Sequence, residues 1–505
     1  MSSQLDKDCV EVGTVYGTGV VVDNWRDSHI KLPWGKLYAP KMMSEIVDFR
    51  RFNIPHIWGG VCWGNSAGVD CLIKSGVSKY LDFKTLPSLE MAISSTSKLV
   101  PIPASKGAVF SSPHLTPMEK RRLMRACRVA YDAVSGSAAT EVNDDERKLT
   151  YSSSMPRPQN AKAVGDRVTE GNWKEWLTKE CGVDGGIVND ILSYGLTLTP
   201  EANTSTKTAV ALLHKHVSSL SFYDKDGTAF IVPMYGMSEI VHGFARRTAV
   251  GGGVMILGCK GRIENGEVVL DSVVEEGEDE GGAMFKAKKT KINKGWIEEE
   301  GEKGGSRVWR LNCLVKGGKE GSEGGIVVHP PGYTGLSNPV QIIYGGATLK
   351  WTKHRDYNWV TASVLADGSA KSVGEALKKA VEELGVQRVY SVVVSFEVGD
   401  GDGSTEGKWE VRRFTVPRPP MDITMDSAVA VASKMYNVIK EHDGTITTDF
   451  MEGGVEDDPD GGEDWEAERM EEAGKALEEK EDEKEDGGSD DDSKDDELAR
   501  AVANL

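Results

Sequence analysis

The chain has 505 residues, with 79 acidic against 60 basic side chains and a formal net charge of −19. Residues 451–505 hold 24 acids and 6 bases, so the first 450 residues, with 55 acids and 54 bases, are almost neutral. That balance excludes a domain-scale basic surface for nucleic acid, and the length suits a large core in two structural domains plus a tail.

The seven cysteines (Cys9, Cys62, Cys71, Cys127, Cys181, Cys259 and Cys313) are odd in number and form no C-x-x-C pair. This argues for free thiols in a reducing compartment and against zinc, so no metal site is expected. No run of about 18 apolar residues suggests a membrane span. The opening MSSQLDKDCVEV lacks a basic-then-apolar signal, and the closing Val502-Ala503-Asn504-Leu505 is no prenylation box. A cytosolic protein is expected.

In chain order, Gly17-Thr18-Gly19 precedes Val20-Val21-Val22. It lacks the third glycine of a dinucleotide turn, and a β-branched run follows where a helix is needed. Trp58-Gly59-Gly60 and Trp63-Gly64 read as loop whose indoles must pack. Residues 69–84 begin as a helix, break at Ser75-Gly76 and end extended. Thr116, Pro117 and Glu119 form a capping box with proline in the first helical position. Behind it Leu123, Cys127, Ala130, Tyr131 and Val134 keep helical spacing, and Lys120, Arg121, Arg122, Arg125 and Arg128 coat the rest. That basic coat suits acidic lipid headgroups or an acidic protein, but a plain solvated face is the reading the pattern favours. Residues from 135 to about 166 read as an insertion, and helices resume at 173–177, 187–198 and 206–220. His214 and His216 are two apart and diverge on a helix, which speaks against a metal pair.

Residues 230–257 are the most ordered stretch. A buried strand over Phe230, Ile231, Val232 and Met234 gives way at Tyr235-Gly236 to a helix with Ile240, Val241, Phe244, Ala245 and Thr248 on its apolar side. The other face carries Glu239, His242, Gly243 and Arg246. Glu239 and Arg246, seven residues apart, stand roughly 10 Å apart at about 1.5 Å per residue. An acid and a guanidinium so spaced do not readily neutralise each other and can grip a partner at two points, although a solvated face explains the same spacing. Gly251-Gly252-Gly253 is expected to end the helix in a left-handed cap, before a strand at 254–257.

A hairpin follows around Asn265-Gly266, then an acidic Gly/Lys-rich insertion at 275–306. Extended runs are expected at 308–315, 326–328, 340–344, 359–365, 390–398 and 409–416. Helices are expected after a Ser372/Glu375 capping box and at 426–438. Beyond about residue 451 the acidic tail should be disordered. The pattern predicts an α/β (α+β) protein: a larger mixed-sheet domain from 1–114 and 226–450, a helical insertion at 115–225, and the tail at 451–505. No G-x-S-x-G elbow, P-loop or H-E-x-x-H is present. His329 and His354 are isolated and read as structural. The residues describe a binder more than a catalyst.

The run Tyr235-Gly236-Met237-Ser238-Glu239-Ile240-Val241-His242-Gly243-Phe244-Ala245-Arg246 resembles the signature Y-G-x-x-E-x-x-x-G-F-x-R of the Rab GDP-dissociation inhibitor and Rab escort protein superfamily. Leu72-Ile73-Lys74-Ser75-Gly76-Val77-Ser78-Lys79-Tyr80 and Glu119-Lys120-Arg121-Arg122-Leu123-Met124 are similar to further family blocks in the same order. Ile102-Pro103-Ala104-Ser105-Lys106-Gly107-Ala108-Val109-Phe110 and the helix at 426–436 look closest to the escort branch.

The resemblance implies a flavoprotein-like larger domain with no working flavin, hence no cofactor. It implies a platform in which Tyr235, Glu239 and Arg246 bind a GDP-bound Rab GTPase, and a helical domain that holds its geranylgeranyl lipid. It also implies docking to the Rab geranylgeranyltransferase alpha/beta heterodimer, with Ile191 and Leu192 near the transferase-facing helix, and transient contact with membranes. Such a protein is an accessory subunit and not itself an enzyme. The dissociation inhibitor is the alternative. A flavin-dependent amine oxidase relative is more remote, because it needs the dinucleotide turn. The sequence departs from the family in two places. The N-terminal strand–glycine-turn–helix and tyrosine-bearing motif are not recognisable in the first 50 residues, and Val254 and Met255 replace the Thr-Tyr pair of the inhibitors.

Overall fold

The structure, a computed structural model, describes residues 60–451 with the exception of 94–97, 136–170, 225–226, 252, 254–259, 265–266, 272–288, 300–305, 318–323, 347–348, 350, 352–356, 398–408, 411–412, 417–422, 444–445 and 447. It also describes strands Lys7–Val12 and Gly35–Tyr38; these two, 135, 260–271, 289–299, 396–397, 409–416 and 442–443 are described by backbone alone. The dinucleotide-type element sought near Gly17, the strand at 254–257, His354 and the tail beyond Met451 lie outside the described residues.

Local chemistry sets the helices. Ala67–Lys74 (α1) is capped by Ser66, whose hydroxyl accepts the Val69 N–H. Lys106–Ser111 (α2) is capped likewise by Ser105. Pro117–Ser135 (α3) has the expected box: the Thr116 N–H reaches Glu119 Oε2 at 2.8 Å, and the Glu119 N–H reaches Thr116 Oγ1 at 3.4 Å. Trp173–Trp176 (α4) and Gly186–Asp190 (α5) each run on into a π turn, at Leu177–Cys181 and Ile191–Gly195. Thr206–Ser219 (α6), Ser238–Val250 (α7), Ala370–Glu382 (α8) and Asp426–Asp443 (α9) complete the helices among the described residues. The cap of α8 differs from expectation. Ser369, not Ser372, is the N-cap, its hydroxyl accepting the Ser372 N–H at 3.2 Å, and Glu375 instead holds Lys378 at 2.8 Å.

A mixed eight-stranded sheet runs Gly35–Tyr38, Gln387–Glu397, Arg307–Lys316, Tyr357–Leu365, Val340–Gly345, Gly324–His329, Ser88–Ile93, Lys98–Pro101. Its neighbours are antiparallel except Gly324–His329 beside Ser88–Ile93, which are parallel. The two-residue period divides its faces. Trp309, Leu311, Cys313 and Val315 pack with α8, whereas Val308 and Leu314 face the cluster that includes Leu123, Ala130, Leu192 and Leu213 of the helical insertion. The insertion and the sheet therefore share one apolar core. On the same side as Val308, Arg310 is buried with its Nε donating to Ser363 Oγ at 2.9 Å, and Gln341 Nε2 donates to the Leu198 and Thr199 carbonyls at 2.6 and 3.0 Å.

A second sheet corrects the reading of 275–306 as an insertion. Lys289–Glu299 is a strand with Lys7–Val12 and Arg413–Val416 pairing parallel to it. Its sequence, KTKINKGWIEE, keeps no steady two-residue apolar period. The expected hairpin is present as Lys260–Glu264 against Glu267–Asp271. The third sheet is small: Cys62–Trp63 and Phe83–Thr85 flank Phe230–Pro233, and α7 springs from it.

Asp426 ties three helices together. Its Oδ1 accepts the Gly68 N–H at 2.8 Å, and its Oδ2 meets Lys215 Nζ of α6 at 2.5 Å. Nearby, Val61 donates to the Ile423 carbonyl at 2.8 Å, so the chain after residue 420 closes against its opening segment.

Candidate functional site

The turn before α7 is fixed by backbone chemistry. The Pro233 carbonyl accepts both the Gly236 N–H at 3.1 Å and the Trp351 indole N–H at 3.2 Å. Gly236 sits at φ +105, a conformation that disfavours any side chain. Tyr235 is thereby held half-buried at the mouth of the helix. Met237 and Ile240 anchor α7 in an apolar cluster with Val69, Leu72 and Val77.

Glu239, Gly243 and Arg246 recur at helical spacing and form one strip, which lies along the 3-10 turn Val77–Tyr80. A Cβ on Gly243 would stand 2.6 Å from Val77 Cγ1, so the glycine sets how closely the two elements approach. The Arg246 guanidinium lies 4.5 Å from the centroid of the Tyr80 ring, and the residue remains exposed. Glu239 is half-buried. The Tyr235 backbone N–H bonds its carboxylate, while Oε2 is sealed without a hydrogen-bond partner. Desolvation lifts this carboxyl above the usual range, outweighing the Tyr235 hydrogen bond, and Asp82 adds to the lift. No ion pair joins Glu239 to Arg246 among the described residues.

The strip corrects two sequence expectations. Gly243, placed on the open face, is buried against Val77. Thr248, placed on the apolar side, is exposed and bonds its hydroxyl to the Phe244 carbonyl at 2.9 Å. Gly251 has φ −74, so the helix does not end there in a left-handed cap. Glycine serves instead at Gly253, where a Cβ would meet the Thr248 carbonyl at 2.8 Å. Ile191 and Leu192 are 1% and 0% exposed, with both side chains packed in the shared core.

The sequence reading gives Val77, Tyr80 and Asp82 no place at the site, although it quotes the first two within a family-like block. A 3-10 turn has no long apolar period to reveal its face. The one available signal was the pairing of a glycine with the Glu/Arg strip, which announces a close neighbour. Against the same small sheet lies a cleft of about 590 Å³, with Leu72, Ile73, Phe83, Tyr223 and Ile231 in its walls and Lys84 and Asp224 as its charged members.

The family model described as GDP dissociation inhibitor matches residues 188–325, which include the whole strip. The chain is 23% identical over 325 residues to Rab escort protein 1 of Arabidopsis thaliana, covering 57% of this chain and 53% of that protein. It is 26% identical over 215 residues to Rab proteins geranylgeranyltransferase component A 2 of Homo sapiens, covering 42% and 28%. These matches support the Rab GDP-dissociation inhibitor and Rab escort protein superfamily as the one this chain resembles. A further member of it, guanosine nucleotide diphosphate dissociation inhibitor 2 of Arabidopsis thaliana, is 25% identical over 314 residues, or 61% of this chain and 60% of that one. The matches thus span between 28% and 60% of these relatives. Among solved structures, a Rab GDI from Plasmodium falciparum superposes with a TM-score of 0.55 at 16% identity, covering 79% of this chain and 85% of that chain. That likeness shows the superfamily's mixed α/β fold. No helix among the described residues is long and apolar enough to cross a membrane.

Proposed function

We propose that this protein is a non-catalytic accessory protein of the escort type. It binds a GDP-bound Rab GTPase through Tyr235, Glu239 and Arg246, presents it to the Rab geranylgeranyltransferase heterodimer, and then escorts the prenylated Rab to membranes. The observation that carries this reading is the unmatched charge pair on α7. Glu239 Oε2 is sealed without a donor, and Arg246, two turns along the same strip, stays exposed over Tyr80. A buried acceptor left unpaired costs about 1–3 kcal/mol, and a donor from a docked partner would recover it. A guanidinium held over an aromatic ring is pre-oriented for a carboxylate or carbonyl on the same partner.

The helical insertion at 115–225 is the proposed lipid carrier. Helices α3 and α6 pack together and bury Ala126, Ala130 and Ala209, and small side chains let helices part around a chain. Each CH₂ of a prenyl group transferred into such a slot contributes about 0.8 kcal/mol. No flavin takes part in this reading.

The dissociation-inhibitor reading stands second, supported by the family model and by the Arabidopsis inhibitor among the relatives. Purified transferase, unmodified Rab and this protein separate the two. Geranylgeranyl transfer that depends on this protein is the escort result. Extraction of prenylated Rab from membranes without support of transfer favours the inhibitor. Flavin absorbance in the purified protein would overturn both.

A further inference from the structure

The beginning of the helical insertion carries a surface that the α7 strip does not use. On α3, residues 118, 121, 125 and 128 follow one another at three- and four-residue steps, which sets Met118, Arg121, Arg125 and Arg128 in a single row about 15 Å long. All four are exposed. Met118 is 56% exposed and Phe110, near the end of α2, is 59% exposed. Lys120 Nζ donates to the Phe110 carbonyl at 2.6 Å, which holds the end of α2 against the first turn of α3 and brings Phe110 to the Met118 end of the row. Lys106, also exposed, opens α2. The acids nearby are otherwise engaged: Glu119 closes the capping box, and Asp132 lies 3.6 Å from Arg128 at the far end.

A row of arginines alone is an ordinary solvated face. Two large apolar side chains, more than half exposed at one end of it, are not ordinary. Apolar tips beside guanidinium groups match the two layers of a bilayer surface, whose acyl boundary takes the tips while its phosphates take the arginines. A nucleic acid would use the arginines but not the tips. The first 450 residues carry no net positive charge, so the attraction must be local, and it is felt within about 8 Å at physiological salt.

We propose that the α2–α3 end docks reversibly on the surface of bilayers containing anionic phospholipid, with Phe110 and Met118 seated among the headgroups and Arg121, Arg125 and Arg128 against the phosphates. This surface is independent of the GTPase reading, because its test uses the protein alone. The full chain is sedimented with phosphatidylcholine vesicles that contain roughly 30% phosphatidylserine or none. Binding is expected only with phosphatidylserine, and it is expected to weaken several-fold between about 0.1 M and about 0.5 M salt. The triple variant Arg121→Glu/Arg125→Glu/Arg128→Glu should lower partitioning at least about tenfold, and Phe110→Ser/Met118→Ser should lower it several-fold, each with the thermal midpoint of the parent. A charge-reversal control on α8, Lys371→Glu/Lys379→Glu, should bind like the parent. Absence of vesicle binding, equal binding to neutral vesicles, or equal loss in the control would each overturn the proposal; the first would leave an acidic protein as the partner of this face.

Discussion

Glu239 keeps one carboxylate oxygen that no donor among the described residues reaches, and its raised pKa gives this a pH signature. The folded protein holds that proton more firmly than the unfolded chain, so the free protein loses stability as pH rises through the raised pKa. A partner donor that needs the ionised carboxylate acts in the opposite sense. Rab affinity should therefore climb as pH rises through the raised range of this carboxyl, and Glu239→Gln should bind more weakly with a flat profile, as read by calorimetry at several pH values. At Gly243 the test is steric. Gly243→Ala places a carbon 2.6 Å from Val77 Cγ1 and should destabilise the fold by about 1–3 kcal/mol in denaturant titration. Adding Val77→Ala should restore most of that loss, whereas an unchanged midpoint in the single variant would mean the two elements are not in close contact.

At the level of elements, the joint between α1, α6 and α9 depends on Asp426, whose side chain is 10% exposed. Asp426→Ala frees the Gly68 N–H and leaves Lys215 without its partner, and should cost about 2–4 kcal/mol. In a double-mutant cycle with Lys215→Met the coupling should fall below that total, because the backbone cap remains lost either way. The capping box of α3, the hairpin at Lys260–Asp271 and the strands from Arg307 to Leu365 were legible in the sequence, since caps and periods are local signals. The strand Lys289–Glu299 was not, because KTKINKGWIEE has no steady apolar alternation and only its pairing partners define it. Nor were the π turns, or the 3-10 turn beneath Arg246. At the site itself, the Glu/Arg pair was legible as a motif. Its mate Tyr80 lies 166 residues upstream of Arg246, and only the fold brings them together.

Across the whole molecule, burial of ionisable groups ties stability to pH. Desolvation pushes His216 down to about 3 and His329 to about 4. For His329 it prevails over Glu383, 3.7 Å from Nε2, which would favour the charged ring. Unfolding lets both titrate normally, so each removes about 1.4 kcal/mol of stability per pH unit as pH falls below about 6.5. His329→Gln should flatten that slope by one proton in urea titrations from about pH 6.5 to about pH 4.5. Burial likewise pushes up the thiols of Cys62, Cys71, Cys127, Cys181 and Cys313, with Cys71 and Cys181 at about 11 and Cys127 and Cys313 at about 12. In native protein near neutral pH these five should resist alkylation, by peptide mass spectrometry, until denaturant is added.

The central claim is that the α7 strip serves a GTPase and not a substrate. Its most direct measurement is the affinity of Arg246→Ala and of the parent for GDP-bound Rab, with equal folding verified for both. A loss of about tenfold or more for Arg246→Ala, roughly 1.4 kcal/mol or more, is the predicted result. Parental affinity in that variant, or no Rab binding by the parent, would contradict the account.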